Sequence, residues 1–126
     1  MTRFAALALL LVLTTACNDT ATTPATVTSD TFSGTVSPAS PSLQTFTAST
    51  SGTVTVTATA LSPQTTVGLG VGTLVNSTCS TASQASVQQG GTVTETVSAS
   101  GTYCALVYDP GTLTAAVSYT ITVAHP

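Results

Sequence analysis

The chain has 126 residues, of which only 4% are charged, and its formal net charge at neutral pH is −3. This length allows one domain with one modest core. The sequence contains no lysine and its single arginine is Arg3, so nucleic acid is excluded as an expected partner, because phosphate binding needs clustered lysine and arginine. Hydrophobic residues reach 42% and much of the remainder is threonine, a β-branched residue that favours strands. The composition therefore predicts an all-β chain.

Residues 1–16 have the layout of a secretory signal peptide. A short positive start is followed by an unbroken apolar run from Phe4 to Leu13, about half the length that a spanning helix needs. The segment Leu13-Thr14-Thr15-Ala16-Cys17 resembles the lipobox of bacterial lipoproteins, except that Thr14 occupies the usual leucine position three residues before the cysteine. The resemblance implies that lipidated Cys17 attaches the exported protein to a bacterial membrane, in the periplasm or at the cell surface. The alternative is an ordinary signal peptide and an unmodified Cys17.

The three cysteines are consistent with this interpretation, because an odd cysteine in an exported protein needs a separate explanation. Lipidation of Cys17 leaves Cys79 and Cys104 as a pair, in a compartment where disulfides persist. Closing a loop of about 25 residues stabilises a fold by about 3 to 4 kcal/mol. Zinc is the alternative, but two cysteines and His125 are too few ligands for a closed site. We therefore expect a disulfide, no metal and no other cofactor, and we interpret His125 as a solvated residue of the C-terminal tail.

After a threonine-rich linker, residues 17–29, the sequence predicts a β-sandwich domain over residues 30–126. Short runs that alternate apolar and polar residues, separated by glycine, proline and serine, are typical of antiparallel strands. The predicted strands cover 31–36, 43–48, 53–60, 66–73, 85–88, 92–99, 101–109 and 116–124. Residues 74–83 are predicted to form a loop that carries Cys79, and strand 101–109 is expected at the centre of the fold. Eight strands without a helix predict a single antiparallel β-sandwich of jelly-roll type.

Four blocks of this domain share a pattern of glycine, threonine and aromatic residues. They are Thr31-Phe32-Ser33-Gly34, Ser51-Gly52-Thr53-Val54-Thr55-Val56, Ser100-Gly101-Thr102-Tyr103 and Ser118-Tyr119-Thr120-Ile121-Thr122-Val123. Their order and spacing resemble the pre-peptidase C-terminal domain family. The resemblance implies a compact jelly-roll module that accompanies secreted enzymes and in some relatives binds collagen or calcium. Relatives carry paired aspartates on the strand corresponding to residues 66–70, which are absent here, so the calcium site is not carried over.

Catalytic patterns are missing from the sequence. A hydroxyl nucleophile needs a nearby base, and the single histidine is His125. The alternating glycines of residues 68–72 lack dinucleotide-binding spacing, because Thr73 stands where a third glycine would be needed. Such glycines favour close packing of neighbouring backbone, and a bare strip for a flat ligand is the alternative. We expect no enzymatic activity.

Two carboxylates, Glu95 and Asp109, could act as an acid and a base if they shared a cleft. Asp109 directly precedes Pro110 and Gly111, which is typical of an aspartate that caps a turn. Glu95 alternates with inward-facing valines, which is typical of an inward charge that guards a sheet edge. The sequence thus favours structural roles for both.

Aromatic side chains are the remaining candidates for a binding site. Alternation predicts that Tyr103 and Tyr119 point into the core, whereas Tyr108 lies with Leu106 on the opposite face of strand 101–109 and is expected to be exposed. Tyr108 and Leu106 are therefore the candidate binding residues. We expect a monomeric, lipid-anchored, non-catalytic module of the cell envelope that binds a polysaccharide or a protein partner. The alternative is a purely structural envelope lipoprotein without a specific ligand.

Overall fold

Eight β-strands and no helix make up residues 26–126, the part of the chain that this computed structural model describes. The strands are β1 (Thr28–Val36), β2 (Ser42–Ala48), β3 (Gly52–Ser62), β4 (Val67–Val75), β5 (Thr78–Val87), β6 (Thr92–Val97), β7 (Gly101–Tyr108) and β8 (Val117–His125). β1 begins before the expected Thr31 and takes in two residues assigned to the linker, Thr28 and Ser29. The expected signal peptide and Cys17 lie outside the described residues.

The strands form two four-stranded antiparallel sheets. Sheet I has the order β1-β8-β3-β6 and sheet II has the order β2-β7-β4-β5. Consecutive strands alternate between the two sheets, except for the β4–β5 hairpin within sheet II. This connectivity confirms the predicted jelly-roll sandwich. It also places β7 in the interior of its sheet, between β2 and β4, as the sequence predicts.

Alternation of valine and threonine builds the core between the sheets. On β3, Val54, Val56 and Ala58 are fully buried, whereas the threonines between them face outward. The facing strands contribute a matching apolar row, which includes Leu69 on β4 and Val107 on β7. Strands such as β3 bury only one face, so the period of two in their sequence defines the inner surface of the sandwich, whereas residues 67–72 of β4 are buried on both faces.

The β4–β5 hairpin differs from the prediction. Residues 74–83 were expected to form a loop, but β4 continues to Val75 and β5 begins at Thr78. The intervening Asn76 and Ser77 have φ values of 49° and 63°, which is the left-handed backbone of a two-residue type I′ turn. The predicted strand 85–88 covers only the end of β5, because the rest of this edge strand consists mainly of small polar residues with little apolar alternation.

Cys79 and Cys104 form the expected disulfide, with their Cα atoms 5.7 Å apart. The bond joins β5 to β7 across the intervening β4, although strands two apart in a flat sheet lie roughly 10 Å from each other. The start of β5 therefore bends over β4. Gly72 permits this, because a Cβ at that position would collide with the Ser80 carbonyl. A register shift beside Gly72, which leaves Ala82 unpaired, accommodates the bend.

The expectation that His125 is a solvated residue of the C-terminal tail is wrong, because the residue is buried. It ends β8, is 5% exposed, and its ring centroid lies 5.2 Å from that of Phe46. Its Nε2 hydrogen-bonds Oδ2 of Asp30 at a distance of 2.8 Å. Pro126 is also buried, and its carbonyl accepts a hydrogen bond from the Ser49 N–H. The end of the chain thus closes one end of the sandwich.

Candidate functional site

The outer surface of sheet II brings the two candidate binding residues together. Tyr108 and Leu106 point outward from β7, and the strand register places Leu43 of β2 directly beside Leu106. Leu43 is 37% exposed, one of three large hydrophobic residues exposed in the described part of the chain. We call Leu43, Leu106 and Tyr108 the Tyr108 face. Sequence reasoning missed Leu43 because the pairing of β2 with β7 depends on long-range register, which a local pattern does not contain.

The Tyr108 ring lies across Gly68 of β4. Its Cδ2, Cε2 and Cζ atoms occupy the space that a Cβ at position 68 would need. The side chain points outward as expected but is half-buried, whereas alternation predicted an exposed residue. One side of the ring rests on backbone and its orientation is fixed by that packing, so the opposite side forms a level apolar surface on the sheet.

The other glycines of β4 are also covered by neighbouring strands. The Thr81 methyl group fills the space beside the Gly70 Cα, and the Ser80 carbonyl fills the space beside Gly72. Close backbone packing is therefore found at Gly72, whereas side chains cover Gly68 and Gly70, and no bare glycine strip is left on β4 for a flat ligand. Because these glycines lack a Cβ, the Tyr108 ring, the Thr81 methyl group and the Ser80 carbonyl pack directly on the backbone of β4.

Uncharged polar side chains surround the Tyr108 face. The strand registers place Thr45, Thr47, Gln84 and Ser86 on the same side of sheet II, and all four are exposed. Residues 26–126 contain no lysine or arginine. This surface combines one oriented aromatic ring, two leucines and a border of hydroxyl and amide groups. It is able to pack against C–H groups and to hydrogen-bond hydroxyl groups, and it offers no lysine or arginine to an anionic ligand.

The outer surface of sheet I has a different character. Threonines form a row across all four strands, in which directly paired neighbours are Thr31, Thr122, Thr57 and Thr92. This surface has neither an aromatic ring nor a leucine among its paired outward positions. Outward threonine is the usual composition of a solvated strand face, so sheet I supplies a comparison surface for the Tyr108 face.

Glu95 points inward near the edge where β6 lies beside β5. It is paired with buried Val54, and its Oε2 accepts a hydrogen bond from the Ser83 hydroxyl of the other sheet. A cleft of about 210 Å³ lies at this edge, and its walls include Glu95, Tyr103 and Ala82. The inward position agrees with the interpretation of Glu95 as an edge charge.

Asp109 lies elsewhere, in the turn that follows β7. The pKa of its carboxyl group is lowered, chiefly because the Leu113 N–H donates to it, and the N–H groups of Gly111, Ala39 and Thr112 add to this effect. These bonds confirm the turn-capping interpretation. Asp109 does not line the cleft that contains Glu95, so the structure does not bring the two carboxylates together.

The remaining tyrosines have structural partners. Tyr119 is 2% exposed, and its hydroxyl group lies 2.6 Å from the Ser42 Oγ and accepts a hydrogen bond from the Gln44 Nε2 at 2.9 Å. Tyr103 packs at the margin of the core, and its hydroxyl group donates to the Ala99 carbonyl at 2.7 Å. Both rings are directed inward, as expected. The Tyr119 contact joins sheet I to sheet II near β1 and β2.

No family model, curated protein or solved structure matches the chain. Among residues 26–126, no group of three or more histidine, cysteine, aspartate or glutamate side chains is placed to hold a metal ion. The same residues include no helix of the length and hydropathy needed to cross a membrane.

Proposed function

We propose that the protein is an exported, lipid-anchored and non-catalytic module of the cell envelope that binds a polymer or protein partner through the Tyr108 face. Among these partners, a neutral polysaccharide fits the face best. The observation that carries this proposal is the Tyr108 ring, which lies across Gly68 on the same face as Leu106 and Leu43. The family resemblance to the pre-peptidase C-terminal domain, an accessory module, agrees with a binding role and remains part of the proposal.

Polysaccharide is favoured over other polymers by the chemistry of the surface. Sugar rings present C–H groups on their faces and hydroxyl groups at their edges, which match an aromatic ring bordered by Thr45, Gln84 and Ser86. A polyanion would find no lysine or arginine in residues 26–126. Because the ring is already held in place by Gly68, binding would not have to fix its orientation, which lowers the entropy cost of association.

Retention on insoluble polymers tests this binding role. The full protein, purified in a neutral detergent, would be applied to cellulose, chitin, peptidoglycan and collagen, with and without calcium. We expect saturable retention on a neutral polysaccharide that does not depend on calcium. Tyr108→Ala and Leu43→Ala should each weaken retention, the former by roughly tenfold or more, because each removes apolar contact area.

Val75→Ala is the matched control for retention, because Val75 is a 51% exposed hydrophobic residue at the tip of the β4–β5 hairpin, away from the Tyr108 face. Its retention should equal that of the unmodified protein. Retention on collagen alone would indicate a protein partner. Equal retention of Tyr108→Ala, Leu43→Ala and Val75→Ala would remove the Tyr108 face from the proposal.

The membrane anchor is supported by the cysteine pairing. Since Cys79 and Cys104 bond to each other, Cys17 is the one cysteine left for lipidation, and a disulfide is typical of exported proteins. Cys17→Ser should move the protein from the membrane fraction to the soluble fraction of the envelope, because it removes the acyl chains. Unchanged fractionation of Cys17→Ser would contradict the anchor and favour an ordinary signal peptide.

A purely structural envelope protein is the second candidate, and one observation favours it. Packing of the Tyr108 ring on Gly68 also stabilises sheet II, so the ring has a role that needs no ligand. In that case Tyr108→Ala would lower the melting temperature while none of the polymers retained the unmodified protein. Measuring melting and retention on the same preparations separates the two candidates.

A further inference from the structure

Glu95 is the carboxylate of the described residues that has neither a basic partner nor a backbone cap. Asp30 hydrogen-bonds His125, and Asp109 accepts four backbone N–H groups. Glu95 bonds only the neutral Ser83 hydroxyl among the described residues. With no lysine or arginine in residues 26–126, a cation that neutralises Glu95 has to come from outside this part of the chain.

The cleft beside Glu95 has a shape and lining suited to such a cation. Its volume is about 210 Å³, and it lies between the β6 edge and the face of β4 and β7 that turns inward. Ala82 and the half-buried Tyr103 ring are the accessible apolar lining, whereas Val71 and Val97 are buried residues of the core. The Tyr103 hydroxyl is already bonded to the Ala99 carbonyl, which holds this side chain in place at the cleft.

The irregular start of β5 borders the cleft. The unpaired Ala82 of the bulge forms part of its wall, and the disulfide holds the start of the hairpin over Gly72, next to Cys104. Ser83, the residue after Ala82, donates to Glu95 and joins β5 to β6 beside the cleft.

We propose that this cleft binds a primary ammonium group carried on an alkyl chain, either a free amine or a lysine side chain of a peptide or protein. The ammonium group would donate to the Glu95 carboxylate in a charge-assisted hydrogen bond. Its chain would pack on the exposed Ala82, and the Tyr103 ring would add a cation–π contact. The site is separate from the Tyr108 face, because Tyr103 and Tyr108 lie on opposite faces of β7.

Chemical-shift titration of the full protein in neutral detergent tests the proposal. The probes are n-butylammonium and an end-blocked peptide with one lysine, and their neutral counterparts are butan-1-ol and the same peptide with acetylated lysine. We expect saturable shifts at the amide groups of Thr96, Ser98 and Thr73, which line the cleft, with at least one charged probe and with neither neutral counterpart. Shifts with both charged probes indicate a general amine site, and shifts with the peptide alone indicate a lysine in a partner.

Glu95→Gln keeps the size and the acceptor oxygen of the side chain but removes its charge. It should weaken binding by roughly tenfold or more, since hydrogen bonds to charged groups are the stronger ones. Asp109→Asn removes one negative charge outside the cleft and should leave the affinity nearly unchanged. The proposal is overturned if no charged probe gives saturable shifts, if a neutral counterpart binds equally well, or if Glu95→Gln binds like Asp109→Asn. The comparison of charged and neutral probes needs only the unmodified protein, so it decides the question even if a variant is unstable.

Discussion

Asp109 shows at the scale of one residue how this chain stabilises loops without basic side chains. Its carboxylate accepts N–H groups from the turn at Gly111, Thr112 and Leu113 and from Ala39 in the loop after β1. One aspartate thus joins two loops at the same end of the sandwich. In a domain whose described part has no lysine or arginine, backbone donors take the place of salt bridges.

Asp109→Ala should lower the melting temperature at neutral pH, and this effect should shrink in acid. The folded-state pKa of Asp109 is lowered from its ordinary value of 3.8. Its contribution to stability is therefore complete above that value and is lost as the pH falls through the lower folded-state pKa. Melting curves of both proteins at about pH 7 and about pH 2 measure the difference. Asp109→Asn, which keeps an acceptor oxygen, should show a smaller loss, and an Asp109→Ala effect of equal size at both pH values would contradict this account.

His125 marks a limit of sequence reasoning at the same scale. Its position near the end of the chain suggested a solvated side chain, yet the alternation of β8 continues through Ile121 and Val123 to place it inside. The polar ring is tolerated there because Asp30 on the neighbouring strand accepts its hydrogen bond and Phe46 packs against it. The inward direction of the His125 side chain could be predicted from the alternation of β8. Its pairing with Asp30 could not, because that contact depends on the β1–β8 register.

At the scale of one element, β5 was the strand that the sequence indicated least. An edge strand with one solvated face needs few apolar residues, and small polar residues predict a loop equally well. The Asn76-Ser77 turn lacks the glycine that usually marks a type I′ hairpin, although asparagine tolerates left-handed backbone. The strands with strict valine–threonine alternation, such as β3, were by contrast predicted within a few residues, because each has one buried face.

The Cys79–Cys104 bond determines where β5 lies on the sheet. The paired variant Cys79→Ala, Cys104→Ala should lower the free energy of unfolding by about 3 to 4 kcal/mol, because it frees a loop whose ends are 25 residues apart in sequence. Urea unfolding of the variant and the unmodified protein measures the change. Each single alanine variant is the control, and it should lose nearly as much, because one cysteine cannot close the loop. A loss below about 1 kcal/mol in the paired variant would show that β4–β5 packing alone holds the hairpin.

At the scale of the whole molecule, the jelly-roll topology separates three surfaces, which are the Tyr108 face on sheet II, the threonine row on sheet I and the cleft at Glu95. The strand count and the absence of helical stretches were sufficient to predict the sandwich, because all-β chains of this length have few architectures available. The pairing of β2 with β7 and the bend of β5 were not predictable from local patterns. Those two features place Leu43 beside Leu106 and Ala82 in the wall of the cleft at Glu95. The candidate sites therefore depend on the part of the structure that local sequence does not specify.

The measurement that tests the central claim most directly is the location of a bound oligosaccharide on the full protein. Amide shifts would be recorded in neutral detergent during titration with cellohexaose or a soluble chitin oligosaccharide, whichever polymer type retains the protein. If polysaccharide binds at the Tyr108 face, saturable shifts are expected at Leu43, Leu106 and Tyr108 and at Gly68 beneath the ring. No shifts are expected in the threonine row of sheet I. Shifts confined to sheet I or to the Glu95 cleft, or no saturable shift with either probe, would contradict the assignment of polysaccharide binding to the Tyr108 face.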